Sequence, residues 1–447
     1  MKPLELTQEV VQLALELGAT DAECTIAEGE EFSVSVRVGD IEKLQEATSR
    51  SAGLRVLVGL RSGSAYTSDL SPEGIRRMVQ SAVDNAEVTG EDPFAGLPER
   101  EDLGQHTADL QLYDESIRSL IASAKIDQAR RAEAAFMAYD PRIDKSEGAS
   151  YDSGISGRYF ANSRGFAGGY ASSQCSLTAV PVASQDGAME RDYWYSSARS
   201  PQKLDTPENV GIIAAKRTLR RLGARKVNTQ KAAIVFEPRM ARMLLSHICE
   251  AVDGDSIYRD SSFLTGKLGE RVASENITII DDGTLPGRWG TAPFDAEGVP
   301  TRRTMIIEKG ILKSYLLNTY TAKKLGLKTT GNAGRGLSGA AYVQNGNFYL
   351  EAGTLTPEEV IRQAGTGLYV TELLGDGVNI VNGDYSRGAQ GLWIENGELA
   401  YPVSEVTIAS TLMEMLNSIE AIGADLEFLS TMAAPTLMIR EMTISGS

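Results

Sequence analysis

The chain opens with MKPLELTQEVVQLALELGATDAE, whose apolar positions recur at helical spacing and which predicts an amphipathic helix ended by Gly18. Period-two alternation then takes over. Phe32, Val34, Val36 and Val38, followed by Leu54, Val56 and Val58, predict strands with one buried face. Asp69-Leu-Ser-Pro-Glu starts a second helix with Pro72 in its first turn; Ile75, Met78, Val79, Ala82 and Val83 form its buried stripe, and it ends near Ala86. The stretch from Thr89 to Gln111, rich in Pro, Gly and acid, reads as a linker or surface excursion. A long helix is expected from Glu115 to Ala138. From Lys145 to Ser200 the chain becomes rich in Gly, Ser, Tyr and Thr, which predicts antiparallel hairpins turning at Ser163-Arg-Gly and Gln185-Asp-Gly.

A helix from about Pro207 to Leu222 closes this first half, and a boundary near Gly223 to Gln230 divides the chain into domains 1–225 and 226–447. The second half begins with a short buried strand, Lys231 to Phe236, and a helix from Arg239 to Asp253 that Gly254 would end. Strands are expected at Asn276 to Asp281, Thr304 to Glu308 and Leu312 to Leu317, with Lys309-Gly310 turning between the last two. A helix at Thr319 to Leu325, strands at Asn347 to Glu351 and Leu368 to Leu374, a helix at Leu412 to Asn417 and a strand at Thr436 to Thr443 complete the pattern. The fold class is α+β, with mostly antiparallel sheets and packed helices.

The stretch from Gly377 to Ala409 sets a polar loop between two extended segments. Asn382, Gly383 and Asp384 are turn formers, Ser386 and Arg387 add a hydroxyl and a fork of donors, and Gly388 and Gly391 allow close backbone approach. Asn396-Gly397 then predicts a tight hairpin with arms Leu392 to Glu395 and Glu398 to Val403. Such a loop could hold a peptide or another subunit.

Composition narrows the chemistry. The 447 residues are 42% hydrophobic and 23% charged, which suits globular domains with substantial cores. A formal charge of -16 sets the average field against phosphates, so non-specific nucleic-acid binding is disfavoured. The three cysteines, Cys24, Cys175 and Cys249, are widely spaced and without CxxC, as expected of reduced thiols that fill cores in a cytoplasm. No window approaches the roughly 20 apolar residues of a membrane span, and no signal-peptide h-region is visible. These features predict a cytoplasmic protein with no membrane and no nucleic-acid partner.

GDYSRGAQGLWIENGELAYPVSEVTIA, residues 383–409, resembles the C-terminal signature of the TldD/TldE (PmbA) family, on the side of its TldE member. Ala292 to Thr301 (APFDAEGVPT), Asn318 to Gly331 (NTYTAKKLGLKTTG) and Leu373 to Gly377 (LLGDG) resemble it in the same order. The likeness runs from about Arg239 to Arg440 and is looser before that. It implies a two-domain PmbA/TldD-like architecture. In TldD it implies zinc held by a helical His-Glu-x-x-x-His and a late cysteine, with the Glu as general base. Here the matching helix reads RMARMLLSHICEAVDGD, residues 239–255. Matched at Gly254-Asp255, the histidine positions fall on Leu245 and Glu250 and the glutamate position on Ser246. Starting instead from His247 puts Ile248 and Val252 in the remaining places. The late-ligand segment, Phe428 to Pro435, has no cysteine, and His106 and His247 are the only histidines. The resemblance therefore implies no cofactor in this chain, zinc in a TldD-like partner, and unfolded or modified peptides as substrates. A homodimer of this chain alone stays open, because an isologous surface can fit itself.

Residue by residue, other readings stand beside this one. His247 is expected to be a satisfied structural histidine. His247, Glu250, Asp253 and Asp255 could instead form a carboxylate metal site for a free-standing hydrolase, although Gly254 would let the acids face water. A third class is a regulatory binding protein without proteolysis. Asp384 and Arg387 are candidates either for an ion pair pinning their loop or, with Tyr385 and Ser386, for contacts with substrate or partner. Arg302 and Arg303 are expected to be solvated and are weaker candidates for peptide contacts.

Overall fold

A computed structural model describes residues 2–446. Helix α1 (Pro3–Glu16) buries Val10, Val11 and Ala14. Gly18 follows at φ +105°, a conformation that costs other residues strain. The first sheet is built from β1 (Asp21–Arg37), β2 (Asp40–Val58) and β3 (Arg61–Thr67), then, after α2 (Pro72–Val88), α3 (Ser116–Ser119) and α4 (Ala122–Met137), from β4 (Ile143–Asn162), β5 (Ala167–Gln185), β6 (Ala188–Arg191) and β7 (Trp194–Ala198). Helix α5 (Pro207–Leu219) closes this half. The strands run β3-β2-β1-β4-β5-β6 with β7 also on β5, and all neighbours are antiparallel.

Even-numbered positions of β1 (Cys24, Ile26, Phe32, Val34 and Val36) are buried beneath α1, α2, α4 and α5. The odd-numbered face looks toward the second half of the chain. Val38, expected as the end of the strand, instead occupies the turn to β2 at φ +52° with its side chain exposed. Glu133 of α4 accepts hydrogen bonds from the amides of both Val38 and Gly39, at 2.7 and 2.8 Å, and so holds a β-branched residue in a left-handed conformation it avoids elsewhere. The helix expected from Glu115 to Ala138 is broken: Leu120 and Ile121 are extended, because Ile117 is buried and the Asp114 amide is held by Ser173, which pins α3 to the sheet separately from α4.

The second half contains β8 (Gln230–Phe236), α6 (Pro238–Ala251), α7 (Gly254–Tyr258), β9 (Ile279–Asp282), β10 (Arg303–Glu308), β11 (Ile311–Leu312), α8 (Thr319–Leu325), β12 (Ala333–Gly334), β13 (Tyr342–Val343) and β14 (Phe348–Leu350). It continues with α9 (Pro357–Ala364), β15 (Gly367–Leu374), β16 (Val378–Asn379), β17 (Asp384–Glu395), β18 (Glu398–Thr411), α10 (Leu412–Asn417), β19 (Ile419–Ile422), β20 (Met432–Ala433) and β21 (Leu437–Ser445). Its larger sheet closes on itself: β15 pairs with β8, β8 with β21, β21 with β18, β18 with β17, and β17 again with β15. Two of its pairings are parallel, β15 with β8 and, in the smaller sheet β11-β10-β9-β14-β20, β14 with β20.

Three expectations in this half change. Gly254 does not end α6. That helix stops at Ala251, and Gly254 opens α7, where a Cβ would lie 2.7 Å from Leu317 and Thr321, so close packing is what requires glycine. The strand expected over Leu312 to Leu317 is paired only at Ile311–Leu312, with one bridge from Leu316 to Asp253. The polar loop from Gly377 is short, because β17 already begins at Asp384. The Asn396-Gly397 hairpin forms as its sequence predicts, with both residues at positive φ.

The two halves are tied along the odd-numbered face of the first sheet. Glu23, 1% exposed, receives Arg55 Nη1 from β2 and Arg335 Nη1 from the second half, each at 2.6 Å. Burial works to raise this carboxyl; Arg335 and then Arg55 outweigh it and hold it below the ordinary value. Beside this pair, Phe166 of the first half packs edge-on to Phe294 at 4.9 Å. The 89–111 segment is a strap: Gly104 and His106 donate their amides to Gly298 and Pro293 at 3.0 Å, and His106 Nε2 donates to the Thr301 carbonyl at 2.5 Å.

Two substitutions test this account. Val38→Asn replaces a β-branched residue with one that tolerates a left-handed conformation, and is expected to raise stability by about 1 kcal/mol in urea unfolding followed by circular dichroism. Glu23→Gln strands two buried guanidiniums and is expected to cost about 3–5 kcal/mol, seen as a lower urea midpoint.

Candidate functional site

A register of four strands builds the floor of a cleft. Ser33 of β1 pairs with Asp152 of β4, Asp152 with Ser176 of β5, and Ser176 with Ser197 of β7, so these side chains form one row across the odd-numbered face. Asp152 anchors the row, accepting from Ser33 Oγ at 2.6 Å and from Ser150 Oγ at 3.2 Å. Trp289, Leu429, Ser430 and Thr431 of the second half face this row across a space of about 720 Å³. Arg199 lies over the Trp289 ring at 4.7 Å and donates to the Arg288 carbonyl at 2.9 Å, which fixes that wall. A sheet face of short hydroxyls opposite an indole and a leucine can accept an extended chain, with hydroxyls serving its backbone and apolar groups its side chains.

Further along the same face, nearer Glu23, the row Arg158 and Tyr170 borders a smaller chamber of about 110 Å³ whose other walls include Asp281, Asp295 and Arg335. Burial pushes the Asp281 carboxyl up to about 7, against an opposing hydrogen bond from Asn332. Asp295 and Glu297 are raised too, by burial first and then by a neighbouring acid in each case, Glu297 for Asp295 and Glu23 for Glu297.

Helix α6 and the 428–435 segment meet beside the cleft, since α6 packs on β20. The residues there do not suit zinc. Leu245 is in the core at 4% exposure, Ser246 donates its hydroxyl to the Met243 carbonyl at 2.7 Å, and Glu250 is exposed. Asp255 is spent on a surface ion pair with Arg259 at 2.9 Å, and Asp253 caps α7, accepting from the Asp255 amide at 2.7 Å. Cys249 is buried, and burial pushes its thiol well above the ordinary value, which disfavours the thiolate a metal needs. His247 is not the satisfied histidine its sequence suggests: its buried Nε2 has no hydrogen-bond partner, and its ring lies edge-on to Tyr385 at 6.2 Å. Burial and then Arg387 lower its pKa, with Asp376 opposing, so its surroundings repel a cation. His247, Glu250, Asp253 and Asp255 therefore do not assemble the carboxylate site considered above. Among the described residues no group of three or more His, Cys, Asp or Glu side chains could hold a metal ion.

The 384–387 residues alternate on β17 rather than sharing a loop. Asp384 and Ser386 are exposed, whereas Tyr385 and Arg387 are buried at 1% and 5% exposure. Asp384 and Arg387 thus point to opposite faces and do not form the ion pair that was one of their two readings; Asn382 Nδ2 donates to Asp384 at 2.7 Å. Arg302 and Arg303 are both exposed, and Arg302 lies at the rim of the small chamber. Apart from Arg302, the polar residues named in these two spaces are not singled out by the sequence pattern. Asp295 sits inside the APFDAEGVPT motif, which was a usable signal; Ser33, Asp152, Ser176 and Ser197 carry none until their strands are aligned.

The fold is an α+β scaffold in two halves with a cleft between them. The chain belongs to the PmbA/TldD family: the PmbA/TldA metallopeptidase C-terminal domain matches residues 229–446, the central domain 115–222 and domain 1 22–86. It is 41% identical to the Metalloprotease PmbA of Escherichia coli O157:H7 over 445 residues, covering 99% of this chain and 96% of that one. It is 38% identical to the Metalloprotease PmbA homolog of Haemophilus influenzae, with the same coverage. A solved Bacteroides thetaiotaomicron structure, named for modulation of a DNA gyrase, superposes with a TM-score of 0.92 at 30% identity, covering 99% of this chain and 98% of that one. The fold is also that of TldE from Thermococcus kodakarensis, with a TM-score of 0.89 at 21% identity over 99% of this chain and all of that one. No helix among the described residues is long and apolar enough to cross a membrane.

Because Asp281 binds its proton more tightly folded than unfolded, its contribution is fully present below about pH 4 and is lost as pH rises through about 7. The melting temperature should therefore fall between pH 5 and pH 8, and Asp281→Asn should flatten that slope; differential scanning fluorimetry across this range checks it.

Proposed function

We propose that this chain is the metal-free subunit of a TldD/TldE-type metallopeptidase, pairing with a zinc-bearing TldD-type chain to cleave unfolded or modified peptides. The observation that supports the reading is α6: Leu245, Ser246 and Glu250, on which the resemblance matched at Gly254-Asp255 sets the ligand and base positions, point, respectively, into the core, back at the helix and into water. Zinc in the partner supplies the activated water. This chain supplies shape. The Ser33–Asp152–Ser176–Ser197 row hydrogen-bonds the backbone of an extended peptide, and Trp289 and Leu429 shelter its side chains from water. Recognition through the backbone is indifferent to sequence, which suits peptide precursors and labile unfolded proteins as substrates. A net charge of -16 argues against DNA as the target.

The purified chain alone is expected to hold no stoichiometric zinc by plasma mass spectrometry and to leave an unfolded casein digest intact. Mixed with the TldD-type chain of the same organism it is expected to elute as a heteromer by light scattering and to cleave that digest. Tightly held zinc with peptidase activity in the solitary chain, or no complex and no gain in cleavage on mixing, would overturn the proposal.

A further inference from the structure

Residues two apart on a strand share a face, so three rows of side chains floor the cleft of about 720 Å³. Beside the Ser33–Asp152–Ser176–Ser197 row, Glu31 pairs with Gly154 and Gly154 with Gln174; on the far side Thr178 pairs with Tyr195. Among the described residues bordering the space only Glu31 and Asp152 carry charge, and both are acidic. Glu31 is exposed and Asp152 half-buried, so each keeps surface that a ligand can reach. On the opposite face of β1 the acids are matched: Glu28 takes Arg50 and Glu30 takes Arg118, each at 2.7 Å. Neither cleft acid forms an ion pair among the described residues; Asp152 takes only the hydroxyls of Ser33 and Ser150.

The wall across from this floor completes the selection. Trp289 and Leu429 offer apolar surface to an aliphatic stem whose charged end lies at Glu31 and Asp152, which is the build of a lysine or arginine side chain. An acidic side chain in the same position meets two like charges. Arg199 lies over the Trp289 ring, with its donors on the Ser173 and Arg288 carbonyls, so it offsets one of the two acids and leaves the cleft negative. We propose, on the reading of the cleft as a peptide site, that it selects extended segments by charge, favouring those that carry a lysine or arginine over those that carry an acid at the same place. Backbone hydrogen bonds supply the binding common to all sequences. Charge decides among them. The formal charge of -16 draws cationic segments toward the chain from a distance, while Glu31 and Asp152 distinguish them once seated.

Fluorescence anisotropy of the full chain tests the proposal with short peptides of glycine, serine and threonine that are blocked at both ends, carry the same uncharged dye and differ only in a central Lys, Gln or Glu. The Lys peptide is expected to bind tightest and the Glu peptide weakest, about tenfold apart at low salt, with the gap closing as salt is added. Glu31→Gln and Asp152→Asn should each narrow that gap about threefold and leave the Gln peptide unchanged. Trp289→Ala should weaken all of the peptides alike. Because Glu31 is exposed, its variant keeps the test open if Asp152→Asn does not fold. Equal binding of the Lys, Gln and Glu peptides would overturn charge selection and leave the peptide site standing, whereas absence of binding by all of them would overturn both. A Lys-over-Glu gap that persists undiminished in folded Glu31→Gln would assign the preference to the overall charge of the chain and would likewise overturn the proposal.

Discussion

A carboxylate with no access to water sets the geometry of this molecule. Glu23 lies in the first strand, is reached by Arg55 from the second, and is shared with Arg335, more than three hundred positions away in sequence. A buried charge cannot be left without its counter-charge, so the two halves are held in register wherever this pair forms. The same face of the same sheet then runs outward, first past Arg158 and Tyr170 and then to the serine row, so this contact, the small chamber and the larger cleft share one sheet face. A second ionic knot, in which Glu237 at the start of α6 receives Arg217 and Arg220 at 2.8 and 3.1 Å, joins the end of α5 to the helix that borders the cleft.

Within this frame the family relationship and the chemistry of α6 carry different information. The scaffold is that of the PmbA/TldD family across nearly the whole chain. The helix beside the cleft keeps its place but presents leucine, serine and a solvated glutamate, while its cysteine is dry and its histidine faces an arginine. Leu244, Leu245 and Ile248 belong to the main core of the second half, so apolar packing holds this helix in place.

Elements governed by local rules were legible in the sequence. Helices α8 and α10 fall on Thr319–Leu325 and Leu412–Asn417, where capping boxes at Asn318 and Thr411 mark their starts. The same signal, Thr356 with Glu359, marks the start of α9. What could not be read depends on distant packing. Val38 has strand chemistry but is captured by Glu133; Gly254 resembles a helix stop but is required by its contact with α8; Arg387 looks like a surface donor until the pleat of β17 turns it inward. The candidate site residues follow the same division, since the α6 residues stand in one contiguous sequence segment whereas the serine row exists only after four strands are aligned.

The closure of β15 onto β17 carries a consequence for the protein when crowded. The ring leaves only the short strands β16 and β19 as free borders of the larger sheet of the second half, so it offers little edge for end-to-end stacking. The long outer border of β2, from Asp40 to Arg50, has no such seal, and it is studded with Asp40, Glu42, Lys43, Glu46 and Arg50. Ionic side chains there act as spacers that keep one molecule from zipping onto the next.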